Sequence, residues 1–229
     1  MMKFKFSIIF LSLMIFFSFS ESNYAAGVIL GGTRLIYNAE NKTADLMIRN
    51  TDSKTVYLVQ SWVENFKKDD KQEVPFVVIP PLFKIDAGKE SLLRIKIMPN
   101  NLPDNKESIF WLNVKSVAGI EHKTNNTLQI NVNSKIKLIY RPQGLNISMQ
   151  DAIGKIKIIK SDRGVKIINP SPYYINIHSL KLNNTFVDNS GVIEPFSEQY
   201  HNFENAIHVV SYQVINDYGS VSDFIEKHF

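Results

Sequence analysis

Short apolar or alternating segments recur along the chain, separated by clusters of Asn, Asp, Gly, Pro and Lys. In one clear example, Leu93, Ile95 and Ile97 alternate with Arg94 and Lys96. Strict alternation of this kind indicates a β-strand with one buried face and one solvated face. No segment sustains the 3.6-residue period of an amphipathic helix. The sequence therefore predicts an all-β fold.

The predicted strands form two groups, each of a size that suits a β-sandwich of about 100 residues. The first group lies at 28–37, 43–50, 56–64, 77–83, 91–98, 108–117 and 128–140, and the second at 155–160, 164–169, 174–182, 192–193, 207–216 and 221–226. Between the groups, the Pro and Gly of Arg141-Pro142-Gln143-Gly144-Leu145 predict a bend. We therefore expect a first domain at 27–141, a hinge at 142–146 and a second β-sandwich domain at 147–229.

Two local features of the first group allow more specific predictions. The Pro80-Pro81 pair cannot donate hydrogen bonds to a neighbouring strand, so we expect it at a sheet edge or where the chain changes sheets. Trp62 lies inside a predicted strand and is a large aromatic residue. We therefore expect Trp62 to pack between the sheets.

The N-terminus has the features of an export signal. A basic start precedes an apolar run at 8–19, and the small residues Ala25 and Ala26 follow it. The run is too short to span a bilayer comfortably, so cleavage after Ala25 or Ala26 is favoured over anchoring, and 1–26 is interpreted as a signal peptide. Because the chain contains no cysteine, each exported domain must be held together by its core alone.

The sequence shows no apparatus for catalysis or for metal binding. The five histidines are scattered, and none forms a His-x-x-x-His pair or stands beside a Glu at a metal-ligand spacing. There is no thiol nucleophile, no Gly-x-Ser-x-Gly elbow and no phosphate-binding loop. The net charge of +4 is too small to indicate nucleic-acid binding. We expect a protein that is not an enzyme and has no cofactor, since a β-sandwich hydrolase would need a carboxylate or histidine cluster.

The predicted strand at 128–140 is unusually long. At its start, Leu128, Ile130 and Val132 alternate with polar residues, and a basic stretch follows. This alternation fits an ordinary strand whose apolar face packs in the protein's own core. It also fits an edge strand that lends its apolar side chains to another protein while extending the sheet of that partner. Periodicity alone does not distinguish the two interpretations.

The end of this strand resembles a known signature. Ser134-Lys135-Ile136-Lys137-Leu138-Ile139-Tyr140-Arg141-Pro142 is similar to the Thr-Lys-Ile-Lys-Leu-Phe-Tyr-Arg-Pro motif of the periplasmic pilus assembly chaperones of the chaperone–usher family. Further similar segments follow in the family's order: Tyr57-Leu58-Val59-Gln60-Ser61-Trp62-Val63-Glu64, Pro80-Pro81, Glu107-Ser108-Ile109-Phe110-Trp111-Leu112-Asn113, Asn169-Pro170-Ser171-Pro172-Tyr173-Tyr174 and Ile215-Asn216-Asp217-Tyr218-Gly219. The resemblance implies two immunoglobulin-like β-sandwich domains in an L-shaped arrangement.

The resemblance also implies a binding site for pilus subunits. In this family a basic pair in the cleft between the domains binds the C-terminal carboxylate of the subunit, and by position this pair resembles Arg34 and Lys137. A guanidinium and an ammonium group suit a carboxylate, although either residue alone could be a solvated surface cation. Leu128, Ile130 and Val132 would then be donor-strand residues that fill a groove in the subunit.

Two further features follow from the resemblance. Glu107, Arg141 and Asp217 match an interdomain charge network in which one arginine bridges carboxylates from both domains, although they could also be unrelated exposed charges. The short connection at 118–127 resembles the short-loop subclass, which serves rod-like pili. The charge network of Glu107, Arg141 and Asp217 would hold the angle between the domains.

The implied partners are pilus or fimbrial subunits and an outer-membrane usher, and the implied location is the periplasm after cleavage of the signal. A free edge strand also predicts self-association in the absence of a subunit. The alternative is a secreted immunoglobulin-like pilus subunit or adhesin, which would need an N-terminal donor extension and an incomplete sandwich. Because a predicted strand begins almost directly after Gly27, we favour the chaperone.

Overall fold

The computed structural model describes residues 27–119, 130–161, 163–187 and 191–229. Their regular secondary structure is β-strand, apart from one short helix. The all-β fold predicted from the sequence is therefore confirmed. No helix in these ranges is long and apolar enough to span a membrane.

The first sandwich contains nine of the described strands: β1 (Val28–Leu30), β2 (Arg34–Asn38), β3 (Ala44–Asn50), β4 (Tyr57–Asn65), β5 (Phe76–Ile79), β6 (Leu82–Ile85), β7 (Glu90–Ile97), β8 (Ser108–Ala118) and β9 (Val132–Arg141). One sheet has the strand order β1-β3-β7-β5, and the other has the order β2-β9-β8-β4-β6. β2 runs parallel to β9, whereas β8 runs antiparallel to it. The long strand β9 thus lies second from the edge of its sheet.

The chain changes sheets at two places in this sandwich. The prediction of one continuous strand at 28–37 was wrong, because β1 and β2 belong to opposite sheets. A Cβ atom at Gly31 would lie 3.1 Å from the carbonyl oxygen of Met47, so glycine allows the chain to pass close to β3 at this change. The second change, from β5 to β6, contains the cis peptide bond Ile79–Pro80. A change of sheets was one of the two positions expected for Pro80-Pro81, whereas the prediction of a single strand at 77–83 was wrong, because β5 and β6 belong to opposite sheets.

Alternate residues of each strand face the core between the two sheets. On β4, Val59 and Ser61 are buried, so Trp62 points to the opposite face and is only partly buried. The prediction of Trp62 as a core residue was wrong, because the alternation of β4 decides its face. The core itself is made of Tyr37, Leu46, Ile48, Val59, Phe76, Val78, Ile85, Leu93, Ile95, Phe110, Leu112, Val114, Ile136 and Leu138.

The second sandwich contains a helix, α1 (Met149–Gly154), and the strands β10 (Lys157–Ser161), β11 (Gly164–Asn169), β12 (Ile175–Leu182), β13 (Thr185–Phe186), β14 (Val192–Ile193), β15 (Ser197–Asn202), β16 (Val209–Ile215) and β17 (Ile225–His228). One sheet has the order β10-β11-β15, and the other has the order β13-β12-β16-β17, with β14 also paired to β12. The sequence analysis missed α1, which has six residues, and β15, which has no apolar alternation.

The second sandwich has a core of its own, separate from the first. α1 adds Ala152 and Ile153 to this core, and its N-terminus is capped by Ser148, whose Oγ accepts the Asp151 N–H at 3.1 Å. The strands contribute residues that include Val165, Ile167, Ile175, Leu180, Leu182, Ile193, Val210 and Val214. Two hydrophobic cores therefore flank the junction that follows β9.

Candidate functional site

A basic pair lies where β2 and β9 run side by side. In the parallel register of these strands, Arg34 stands directly opposite Lys137. Both residues are partly buried. The Nε atom of Arg34 is buried and has no hydrogen-bond partner in the part of the chain that the structure describes. The structure thus brings together the two residues that the sequence analysis named as a carboxylate anchor.

The electrostatics of this pair favour an anion. Burial lowers the pKa of Lys137, and the neighbouring charge of Arg34 lowers it further. Burial also lowers the pKa of Arg34, and the charge of Asp217 opposes that shift. A bound carboxylate would stabilise both cations and would supply an acceptor for the Arg34 guanidinium. The pair is therefore suited to bind a carboxylate group.

The first half of β9 forms an open sheet edge. β8 pairs with one side of β9 from Val132 onward, whereas β2 pairs with the other side only from Lys137 onward. Among the described residues, no strand covers the outer side of the segment 132–136. Backbone N–H and C=O groups on such an edge can form hydrogen bonds with an incoming strand.

Two apolar side chains lie beside this open edge. Ile130 is 69% exposed and Val132 is 51% exposed. They are an even number of residues away from Ile136 and Leu138, which are buried in the first core, so the alternation of a strand would place all four on one face. The apolar alternation therefore continues beyond the part of the strand that the protein's own core covers. Leu128, the third predicted donor-strand residue, lies outside the described residues.

Arg141, at the end of β9, contacts carboxylates from both domains. Its Nε donates to Oε1 of Glu107 at 2.7 Å, and its two terminal nitrogens donate to the two oxygens of Asp217 at 2.7 and 2.9 Å. Burial alone would lower the pKa of Arg141, but the hydrogen bonds and charges of Asp217 and Glu107 raise it above its ordinary value. The three residues that the sequence analysis grouped are therefore in direct contact.

Glu107 connects this network to the backbone of the second domain. Its side chain is 1% exposed, and its Oε2 accepts the N–H of Tyr174 at 2.7 Å. Its own N–H donates to the carbonyl oxygen of Pro172 at 2.9 Å. Burial raises the pKa of Glu107 to about 7, against the opposing effects of Arg141 and of the Tyr174 N–H. The domain junction therefore contains a carboxyl group that titrates near neutral pH.

Two other contacts between the domains were not predicted. Lys67 Nζ lies 2.6 Å from Oε1 of Glu194, and both side chains are partly exposed. The turn at 216–220 lies against Thr33, because a Cβ atom at Gly219 would be 2.5 Å from the Thr33 Oγ1 atom. The resemblance had singled out the segment that ends at Gly219 and had paired its Asp217 with Arg141, but no sequence pattern indicated the contact of Gly219 with Thr33.

The basic pair offers positive charge and hydrogen-bond donors. Across the ranges that the structure describes, no group of three or more His, Asp or Glu side chains could hold a metal ion. Arg34 and Lys137 supply positive charge, whereas Asp217, the carboxylate whose charge acts on Arg34, already binds Arg141. The region can therefore bind and orient an anionic group.

Both domains match known families. Residues 27–146 match the family described as pili and flagellar-assembly chaperone, PapD N-terminal domain, and residues 151–225 match pili assembly chaperone PapD, C-terminal domain. The chain belongs to the pilus assembly chaperones. The family resemblance found in the sequence is thereby confirmed.

Relatives of this pilus assembly chaperone align with it over most of their length. Chaperone protein FocC of Escherichia coli is 38% identical over 220 residues, which cover 94% of this chain and 95% of FocC. Chaperone protein FimC of Escherichia coli strain K12 is 39% identical over 201 residues, which cover 86% of this chain and 82% of FimC. The similarity therefore extends through both domains.

Solved structures of pilus assembly chaperones share the fold. In the complex of Salmonella enterica SafA pilin with the SafB chaperone, one chain superposes with a TM-score of 0.79 at 28% identity, covering 91% of this chain and 99% of that chain. The periplasmic chaperone SfaE gives a TM-score of 0.75 at 36% identity, covering 87% of this chain and 98% of that chain. The prediction of two immunoglobulin-like β-sandwich domains is confirmed by these neighbours.

Several residue-level expectations for this pilus assembly chaperone stay predictions. The structure shows the neighbours of Arg34 and Arg141, and their roles in binding a carboxylate and in holding the domain angle stay predictions. The domain boundaries at 141 and 147 are also predictions. The short-loop subclass rests on the connection at 118–127, most of which lies outside the described residues.

Proposed function

We propose that this protein is a periplasmic chaperone that binds pilus or fimbrial subunits and delivers them to an outer-membrane usher. Its family supports a role in pilus assembly, and one structural neighbour is a complex of a pilin with a chaperone. Binding uses donor-strand complementation, the mode already known for chaperone–pilin complexes, in which β9 replaces a strand that the subunit lacks. The protein does this as a binding partner, without catalysis, a cofactor or nucleic acid.

One observation carries the proposal: the open edge of β9 ends where the basic pair begins. β9 runs from Val132 towards Lys137, and β2 covers its outer side only beyond that point. A subunit strand whose terminal carboxylate binds Arg34 and Lys137 must therefore lie along 132–136 and run parallel to β9. The anchored end sets the register, since a slip of one residue would turn every apolar side chain to the wrong face.

Exposed apolar side chains at the start of β9 and just before it supply the driving force for binding. Ile130 and Val132 retain 69% and 51% of their exposure, so most of their apolar surface is available to a partner. Complete burial of a side chain of this size contributes about 1.5–3 kcal/mol. Leu128 has the same parity and is the third side chain that we assign to the subunit groove.

Export to the periplasm fits the same function. Residues 1–26 serve as a signal peptide for export, and the mature chain acts in the periplasm. There it holds the subunit until the usher receives it. Before a subunit binds, the open edge at 132–136 can pair with a second copy of the chain, so we expect self-association that increases with protein concentration.

Removing either cation of the anchor should abolish subunit binding without unfolding the chaperone. We predict that Arg34→Ala and Lys137→Ala each lose recovery of a tagged pilin-like subunit, encoded beside the chaperone gene, when the two proteins are co-expressed and purified from the periplasm. Burial disfavours the charge on both residues, so their removal should leave the melting temperature of the free chaperone nearly unchanged.

Lys96→Ala is a matched control, because it removes one positive charge from an exposed position on β7, in the other sheet. This variant should recover as much subunit as the wild type. Wild-type recovery by both anchor variants would contradict the anchor assignment. Failure of the wild type to recover any pilin-like subunit would contradict the proposed function itself.

A further inference from the structure

Tyr218 is unusually exposed for an aromatic side chain. It is 94% exposed, more than any other large apolar or aromatic side chain in the described residues. It lies on the turn at 216–220, which follows β16. The ring makes little contact with the rest of the protein, so its surface is available to a partner.

The turn that carries Tyr218 is held in one conformation. The N–H groups of Tyr218 and Ser220 both donate to Oδ1 of Asn216 at 3.0 Å. The Gly219 N–H donates to the carbonyl oxygen of Asn216, and the Asn216 N–H donates to the carbonyl oxygen of Ser220, each at 3.0 Å. The Tyr218 side chain therefore projects from a fixed backbone.

This turn lies beside the basic pair. Asp217, immediately before Tyr218, is close enough to Arg34 for its charge to affect that residue's pKa. Gly219, immediately after Tyr218, packs against Thr33, the residue that precedes Arg34. Gly219 has a φ angle of +84°, and a Cβ atom there would lie 2.5 Å from Thr33 Oγ1. Any residue other than glycine would therefore push the turn away from the first domain.

We propose that Tyr218 is a positioning residue for the bound subunit. Its ring packs against apolar side chains near the subunit's C-terminus, while the terminal carboxylate binds Arg34 and Lys137. The chain neighbours of Tyr218 lie close to Arg34 in the case of Asp217 and against Thr33 in the case of Gly219, so the turn carries the ring beside the carboxylate site. This inference rests on the proposed function and adds a second-domain contact that recognises a peptide with a free carboxylate and an apolar residue close to its end.

Photo-crosslinking tests the contact. The amino acid p-benzoylphenylalanine replaces Tyr218, and the variant is purified as a complex with the tagged pilin-like subunit used above. Irradiation should link position 218 to the C-terminal peptide of the subunit, as identified by mass spectrometry. The control position is Phe186, which is 64% exposed and lies on β13, beside the end of β12 that is remote from the turn at 216–220. It should give no such link.

Dissociation of the complex tests the energetic role. The complex of Tyr218→Ala, which lacks the ring, should dissociate about threefold to tenfold faster than that of the wild type, as expected for the loss of one well-placed aromatic contact. Tyr218→Phe should release it at nearly the wild-type rate, and both variants should melt at the wild-type temperature when free.

Release from Tyr218→Ala at the wild-type rate would overturn the proposal, and so would an absence of cross-links from position 218 to the terminal peptide. Both of these outcomes require that the wild type forms a complex with the subunit. A wild type that recovers no subunit would instead overturn the proposed function, and the role of Tyr218 with it.

Discussion

Glu107 is a charged residue that the fold almost completely removes from water. Its two oxygens accept hydrogen bonds from Arg141 and from the N–H of Tyr174. Burial nevertheless raises its pKa from an ordinary value of 4.5 to about 7. Between these two pH values the folded protein holds a proton on Glu107 that the unfolded chain releases. The stability of the protein is therefore linked to pH at this residue.

Replacing Glu107 by Gln should change the pH dependence of stability. Because its folded-state pKa is raised, the contribution of Glu107 to the free energy of unfolding is complete below pH 4.5 and is lost as the pH rises through 7. We predict that the free energy of unfolding of the wild type, minus that of Glu107→Gln, falls over this range by up to about 1.4 kcal/mol per pH unit. Chemical denaturation at several pH values measures this difference.

Asp52 provides a control of opposite sign. The backbone N–H groups of Thr55 and Lys54 lower the pKa of Asp52, so its contribution is present at neutral pH and is lost as the pH falls through its folded-state pKa. The free energy of unfolding of the wild type, minus that of Asp52→Asn, should therefore decrease as the pH is lowered. If the free energy of unfolding of the wild type, minus that of Glu107→Gln, did not change with pH or increased with pH, a raised pKa at Glu107 would be contradicted.

Sequence motifs predicted individual residues well where a signature contains them. Lys137 and Arg141 lie in the quoted motif and Arg34 was named by its position in the family's pattern, and the structure places each beside its expected neighbour. The ion pair of Lys67 with Glu194 could not be predicted, because it depends on how the two domains are placed. No periodicity encodes the distance between exposed side chains that lie far apart in the chain.

The apolar residues that alternate through β9 and the segment just before it are exposed at one end and buried at the other. Ile136 is 9% exposed and packs in the first core, whereas Ile130 is 69% exposed. We predict that Ile130→Asp blocks subunit recovery from the periplasm and barely changes the melting temperature of the free chaperone. A charge at Ile130 stays in water before binding but would be buried without a partner in the subunit groove.

Ile136→Asp is the matched control on the same strand. It places a charge in the core and should destabilise the free protein by several kcal/mol, or prevent folding. Co-purification and thermal unfolding of both variants give the comparison. A large loss of stability in Ile130→Asp would show that this side chain belongs to the protein's own core.

Period-2 alternation predicted that strands exist, but not the sheet to which each belongs. The segment at 28–37 reads as one strand, because its alternation does not show that the chain passes to the other sheet near Gly31. The polar strand β15 was missed for the opposite reason, since it lacks an apolar face. Trp62 was assigned to the core because of its size, although the buried Val59 and Ser61 place it on the opposite face of β4. Sheet membership depends on long-range pairing that local patterns do not contain.

At the scale of the whole molecule, the proposed binding site combines parts of two independently packed domains. The first domain supplies the open edge of β9 and the basic pair, and the second supplies the turn that carries Tyr218. Arg141 and Glu107 join the domains next to both parts. We infer that this junction holds the site in shape, so that a subunit can be anchored at one end and paired along its length.

Amide hydrogen exchange in the segment 132–136, followed residue by residue by NMR, tests the donor-strand proposal at the backbone itself. In the dilute free protein, amides that point to the open side should exchange fast, while those bonded to β8 are protected. In the complex with the subunit, the outward amides should become protected as well. Outward amides that exchange equally fast in the complex would contradict donation of β9 to the subunit.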